Sequence, residues 1–488
     1  MDTILYYPKF PLGKDKWTVA GGSNRMHPPL DMGWIGKLVE EKTDVEFKII
    51  DANANRYSLD QVEEKLEKYK PRVILTTSEP YEAYRCMSLS RDYFSIHKEN
   101  IEMIKDVLPE SKVILIGPHG SALPDYVFKE NPKLDIIVRG ESEITSYKLI
   151  EALVKGKNWK NLKGISFREK GKIIHNENRP YLKNLDKLSY PAFHLLEMEK
   201  YLQYHEKVDK LRKTISVTSR GCPYQCIYCF KSMVGNQFRV RSVEDVLNEI
   251  DILYNKYNVE HISFIDETFT IDQERTALFS KKLKEKGHNL TWDCETRIEC
   301  ISKDLLKEMA NSGLTEICFG VESTLPEIQK SANKIIDIKK VKEIVEYGGE
   351  LGIYTTVALQ LGLPGDSWET IEKNLEEMKK LDIPLGLPLI TRVYPNTKLY
   401  EMAKEEGLIK EGNFQECIET SGIVKTGFKN REDYYKALSY YHQQIRWLNL
   451  RKKLSLQYIG KKIKRYGLLG TIKRGISVIR KLNQRYGK

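Results

Sequence analysis

Short runs rich in Val and Ile alternate with longer helical stretches along most of this chain, and the pattern occurs twice. The first series comprises TILYYP from Thr3, VEFKIID from Val45, RVILTTS from Arg72, KVILIG from Lys112 and LDIIVRG from Leu134. Each run is too short for a buried helix and too continuously apolar to have one wet face. Helical stretches such as SLDQVEEKLEKY and HKENIEMIKDVL separate them, and EITSYKLIEALVKG follows the last. Such alternation predicts a parallel sheet covered on both faces. Ligands of these sheets bind beyond the carboxyl ends of the strands. Here those ends lead into YPKFPLGK, SEPYEAYR, GPHGSALPD and RGESE.

The pattern then breaks. GISFREKGKIIHN reads as a hairpin turning at Lys170-Gly171, because glycine tolerates the backbone angles of a tight turn. RPYLKNLDKLSYPAF, with two prolines, reads as an extended linker. The second series follows: TISVTS from Thr214, HISFID from His261, LTWDCE from Leu290, EICFGVES from Glu316, YTTVALQLG from Tyr354 and GLPLITRVY from Gly386. Six strand–helix units predict a curved parallel sheet, a partial barrel with its active site at the carboxyl ends of the strands. The expected class is α/β: an N-terminal Rossmann-like parallel sheet, then a partial (βα)6 barrel, then a helical C-terminal region. The boundaries expected are 1–155 for the first sheet domain, 156–212 for hairpin and linker, 213–406 for the barrel, and 407–488 for the helical region and its tail. A chain of 488 residues exceeds what one core encloses, in keeping with several domains.

Three of the eight cysteines fall in SRGCPYQCIYCFKS: Cys222, Cys226 and Cys229. The others are scattered, unlike a secreted disulfide framework. No signal-like segment opens the chain and no run reaches the length of a membrane span, so a cytoplasmic location is expected. Thiols clustered in a reducing compartment point to metal binding. A structural zinc site wants four ligands, and no second Cys or His pair lies near. A cubane iron–sulfur cluster held by three cysteines would keep one iron open for a ligand. Zinc and incidental thiols are the alternatives. Cys294 and Cys318 lie in strand-like runs and read as small core residues. Cys300 and Cys417 have no ligand-like spacing.

CxxxCxxC with an aromatic (Tyr228) before the last cysteine resembles the cluster loop of radical S-adenosylmethionine (SAM) enzymes. The resemblance implies that Cys222, Cys226 and Cys229 hold a [4Fe–4S] cluster whose open iron binds SAM. It also implies that one electron cleaves SAM to a 5′-deoxyadenosyl radical. Further segments resemble the same family in order. FIDETFTID places Asp266 and Glu267 near SAM's amino group, and WDCETR makes Glu295 and Arg297 candidate SAM contacts. FGVES brings Glu322 and Ser323 towards SAM's ribose or methionine part. LGLPGDSWET, through Gly362 and Gly365, would pass its open backbone near the adenine. YPNTKLYEMAKEEGLI resembles the last-strand signature of one branch.

PPLDMGWIGKLVEE, KIIDAN, VILIGPHGSALPD and DIIVRGESEIT resemble the cobalamin-binding domain that precedes the barrel in one large branch of that family. Flavin and response-regulator folds share such a five-stranded architecture, and a domain that has lost its corrin is a further alternative. Asp-x-His-x-x-Gly, whose histidine coordinates cobalt in many cobalamin proteins, is absent. His119 has Gly117 two positions before it, so the lower axial position has no assigned ligand; His119 is a candidate for corrin contact or a structural loop residue.

The resemblance implies radical methyl transfer: hydrogen is removed from an unactivated carbon, which then takes a methyl group supplied through cobalamin and ultimately by a second SAM. The runner-up is cyclisation, ring rearrangement or oxidation without methyl transfer. An iron–sulfur protein of electron transfer would not need the SAM-like segments. A methylthiotransferase acting on tRNA would carry three cysteines in its first domain, where this chain has Cys86 alone. Expected partners are a small-molecule or lipid-like substrate and a one-electron reductant. The formal charge of +11 resides in the tail: from Tyr434 to Lys488 there are 15 Lys and Arg and no Asp or Glu. Basic and apolar residues interleave there at rough helical spacing. A solvated appendage, an anionic membrane surface at the inner face, and nucleic acid, the least favoured, are the readings.

Overall fold

A computed structural model of the chain describes residues 1–10, 26–81, 91–188 and 190–453. The first sheet has seven strands. They are β1 (Thr3–Tyr7), β2 (Phe47–Asp51), β3 (Val73–Thr77), β4 (Lys112–Ile116), β5 (Ile136–Val138), β6 (Ile165–Glu169) and β7 (Lys172–His175), in the order β2-β1-β3-β4-β5-β6-β7. The first five pair in parallel, as the apolar runs predict. All of β1 is buried, with Ile4 and Tyr6 in one core and Leu5 and Tyr7 in another, so both faces are covered. The hairpin is a continuation of this sheet: β6 pairs antiparallel with β5, Val138 opposite Ile165, and β7 forms the new edge. Pairing covers a β5 edge that would otherwise present unpaired backbone groups.

The second sheet is the expected partial barrel. Its six strands, all parallel, are β8 (Lys213–Ser216), β11 (His261–Phe264), β12 (Thr291–Thr296), β13 (Leu314–Glu322), β14 (Tyr354–Leu361) and β15 (Leu389–Ile390), arranged in sequence order. A small antiparallel pair, β9 (Ser219–Arg220) with β10 (Arg239–Val240), brackets the cysteine loop. Helices return the chain after each strand, and their starts are written in the sequence. Ser242, Asp272, Ser302, Asp337 and Ser367 each accept a first-turn backbone N–H, satisfying donors that a helix terminus leaves orphaned. Along β12 buried and half-buried residues alternate. Trp292 packs edge-on to Phe279 of the outer helix Gln273–Glu285, so Asp293 and Glu295 lie on the opposite, concave side.

The linker adheres to the first domain. Ala192 donates to Gly33 O at 3.1 Å, and a Cβ at Gly33 would meet Pro191 Cβ at 2.9 Å, an approach only glycine permits. One apolar core runs without interruption from Ile4 and Trp34 through Phe193 and Ile215 to Ile445. Past the barrel come helices Lys398–Glu405, Phe414–Thr420 and Arg431–Lys453. Cys86 and the tail beyond 453 lie outside the described residues, as do the second halves of YPKFPLGK and SEPYEAYR. No helix among the described residues is long and apolar enough to cross a membrane.

Candidate cluster and cofactor site

The sequence-derived residues come together at the carboxyl ends of successive barrel strands. Cys222, Cys226 and Cys229 occupy the irregular loop that follows β8 and β9; all three are free thiols. Lys231 Nζ donates to Cys222 O at 2.9 Å and also to Tyr224 O, drawing the loop into a closed bend. Thr268 Oγ1 lies 3.7 Å from Cys222 Sγ, and Arg297 Nη1 donates to Cys226 Sγ at 3.4 Å. Burial, with Cys226 beside it, pushes the Cys229 thiol up to about 12, although Lys231 opposes this. Without metal Cys229 is a neutral thiol; iron would displace its proton.

Tyr228 bridges three elements. Its ring packs on Leu325, Ile328 and Leu363, and burial together with a hydrogen bond to Glu322 pushes its phenol well above the ordinary range. Glu322 ends β13 at a register shift, with φ of 65°. Its Oε1 accepts from Lys334 Nζ at 2.7 Å, and both side chains are buried. Ser323 Oγ donates to Asn374 Oδ1 at 3.1 Å. Gly362 and Gly365 have φ of 97° and 94°. A Cβ at Gly362 would stand 2.4 Å from Gly422 Cα, so this turn is pressed against the C-terminal region. Asp366 Oδ2 accepts from Gly362 N at 2.8 Å and Leu363 N at 2.9 Å.

The acidic residues at the strand ends have different local partners. Asp266 is fully buried and accepts from Thr218 N, Thr218 Oγ1 and Ser219 Oγ. Its carboxylate fastens the end of β11 to the start of the cysteine loop. Glu267 Oε2 accepts from Gly221 N at 3.1 Å. Glu295 is half-buried on the concave side of β12. Cys294 is buried as expected, whereas Cys318 is only half-buried, because β13 turns it out of the packed face. Among the described residues no three His, Cys, Asp or Glu converge on the volume of one ion.

The first sheet presents its own carboxyl ends to this loop. RGESE, after β5, meets β9 and β10. Arg220 Nη2 pairs with Glu143 Oε1 at 2.6 Å, Arg220 Nη1 with Glu141 Oε1 at 3.3 Å, and Arg239 Nη1 with Glu141 Oε1 at 2.8 Å. Asn396, after β15, donates to Ala122 O at 3.1 Å. A ligand held at the ends of β3 to β5 would therefore look across at the cysteine loop. His119 is 1% exposed. Its ring lies edge-on to Phe414 at 4.9 Å and 5.4 Å from His97, with Nε2 3.5 Å from Glu79 Oε1. Burial and His97 push it well below the ordinary imidazole range, so it is neutral. His119 is thus enclosed in packing at the carboxyl end of the first sheet. Sequence reasoning missed Arg220, Arg239, Glu141, Glu143, Tyr224 and Lys334; only proximity to the cysteines could have marked Arg220, Tyr224 and Lys231.

Three thiols at the carboxyl end of a half-barrel, faced by the strand ends of a second parallel sheet, are the arrangement of an iron–sulfur enzyme. The Radical SAM superfamily description matches residues 216–378, and the B12 binding domain description matches residues 17–150. The chain is 30% identical over 415 residues to an uncharacterised methyltransferase of Pyrococcus horikoshii, covering 84% of this chain and 86% of that one. It is 28% identical over 337 residues to an anaerobic magnesium-protoporphyrin IX monomethyl ester cyclase of Rubrivivax gelatinosus, covering 68% and 58%. The radical SAM methyltransferase TsrM from Kitasatospora setae, solved with cobalamin and a [4Fe–4S] cluster, superposes with a TM-score of 0.66 at 16% identity. That match covers 83% of this chain and 76% of TsrM. This chain belongs to the radical SAM superfamily, in the branch that carries a B12-binding domain, and its cofactors are a [4Fe–4S] cluster, SAM and cobalamin.

Proposed function

We propose that this protein methylates an unactivated carbon of a small-molecule or lipid-like substrate. The observation that carries the reading is the apposition of the two sets of strand ends, fixed by Arg220 and Arg239 on Glu141 and Glu143. When bound, the cluster and SAM supply a hydrogen-abstracting radical, and cobalamin supplies a methyl group. The chain's residues position these groups. Cys222, Cys226 and Cys229 hold iron; Glu267, Glu295, Glu322 and Ser323 face SAM's amino, ribose and methionine parts; and the backbone at Gly362 and Gly365 receives the adenine. Asp266 orders the loop. The methyltransferase relative supports methyl transfer. The cyclase relative favours a second reading, in which the same radical closes a ring without methyl transfer.

The experiment is anaerobic turnover with SAM bearing a deuterated methyl group and a substrate extract from cells lacking the protein. A product carrying the intact deuterated methyl supports methylation. 5′-Deoxyadenosine released with a product that has only lost hydrogen overturns it in favour of ring closure or oxidation. We also place the protein in the cytoplasm, reduced by a one-electron donor, with the basic tail on an anionic membrane surface. Unchanged liposome binding after removal of residues 451–488 would remove that last element.

A further inference from the structure

Arg297 follows β12 and is the obvious cation for SAM's carboxylate, yet its side chain is already engaged. Nη1 donates to Cys226 Sγ at 3.4 Å and Nη2 to Glu299 Oε1 at 2.7 Å. The guanidinium lies over Tyr224, its Cζ 3.9 Å from the ring centroid. Tyr224 stands between Cys222 and Cys226 in the cysteine loop, and its hydroxyl meets Cys300 Sγ at 2.9 Å. A single turn, Ile298–Cys300, closed by Cys300 N on Arg297 O at 3.1 Å, carries both Glu299 and Cys300 back beside Arg297. The side chain is 9% exposed. These contacts take two of its five N–H groups, and the N–H at Nε is buried without a hydrogen-bond partner.

We propose that Arg297 is a positioning residue for the cluster itself: held over Tyr224 by Glu299, it sets the reduction potential through Cys226. The inference rests on the [4Fe–4S] reading of the three cysteines. Adding an electron makes a thiolate-bound cluster more negative. A cation and an N–H on a ligand sulfur stabilise that state and raise the potential. Glu299 acts in the opposite sense. Its Oε1 is ion-paired with Arg297 Nη2 at 2.7 Å, so its negative charge offsets part of the guanidinium's. Two neighbouring residues thus pull the potential in opposite directions, which a purely structural role would not produce.

The test is a SAM-free redox titration of the reconstituted full chain, followed by electron paramagnetic resonance, for wild type, Arg297→Gln and Glu299→Gln. The midpoint should fall for Arg297→Gln and rise for Glu299→Gln, with iron content equal to wild type. An Arg297→Gln protein with an unchanged SAM-free midpoint but weakened SAM binding overturns the proposal and returns Arg297 to the carboxylate. If Arg297→Gln fails to hold iron, Glu299→Gln decides alone, and an unmoved midpoint there overturns it. A wild-type chain that takes up no iron would overturn the cluster reading itself, a result distinct from either of these.

Discussion

Arg220, two residues before Cys222, is ion-paired at 2.6 Å with Glu143, the first residue of the helix that follows β5. Each side chain is 5% exposed, and the guanidinium lies 5.1 Å from the centroid of Trp34. Removing one partner of such a pair strands a buried charge, at a cost of about 3–5 kcal/mol. Glu143→Gln should therefore lower the denaturant midpoint sharply. The paired Arg220→Met/Glu143→Leu variant should recover much of that loss, because no lone charge remains. A double variant no more stable than Glu143→Gln would show that the pair itself is needed.

Asp366 gives a pH signature in the turn assigned to adenine. Burial raises its carboxyl to about 7, although the N–H groups of Gly362 and Leu363 favour the ionised form. A value raised by folding means that the acid's contribution to stability is fully present below its unfolded value and is lost as pH rises through about 7. Asp366→Asn keeps the acceptor oxygen and cannot ionise. Its stability relative to wild type should improve between pH 4 and 7, by at most about 4 kcal/mol. Denaturant titrations at both ends of that window would read it. Asp366→Ala, which leaves two buried N–H groups unpaired, should lose about 1–3 kcal/mol at either pH.

At the opposite end of the barrel the sign reverses. Burial would raise Asp293, but His261 at 2.7 Å, Lys213 at 3.0 Å and Ser263 at 2.6 Å hold it at about 2. The stabilisation is present above the unfolded carboxyl value and disappears as pH falls from about 4 towards 2. It amounts to about 2 kcal/mol. Asp293→Asn should be less stable at pH 6 and should show a shallower loss of stability in acid than wild type.

His119 is packed and shielded by Phe414, which predicts that it does not ligate cobalt. In corrin-loaded protein, the cobalt(II) resonance should be the same for wild type and His119→Phe. Corrin absorption after reconstitution should also be retained. Nitrogen splitting that vanishes in the variant would assign His119 to the metal.

The strands were legible because Val/Ile runs bounded by Ser or Asp helix caps are local signals, readable from a few adjacent residues. The cysteine loop was legible for the same reason. The hairpin was readable as a hairpin but not as part of the first sheet, because nothing local encodes which edge β6 will cover. Arg220 and Glu143 are 77 positions apart and show no periodicity that would pair them. Asp266 illustrates the other gap. Its type and place suggested a ligand contact, but Thr218 and Ser219, 48 and 47 positions earlier, use its oxygens. Arg297 was identified as a functional cation, while its partner became visible only once the turn at Ile298–Cys300 folded back.

The unbroken core from Ile4 to Ile445 makes the two sheets one mechanical body. Leu188, Phe193 and Leu196 serve as mortar, buried in that core. A chain cut there should yield two insoluble fragments, and the intact protein should melt in one step. Opening the sheets against each other would bring Leu188, Phe193 and Leu196 to water, so the shared core opposes such a motion.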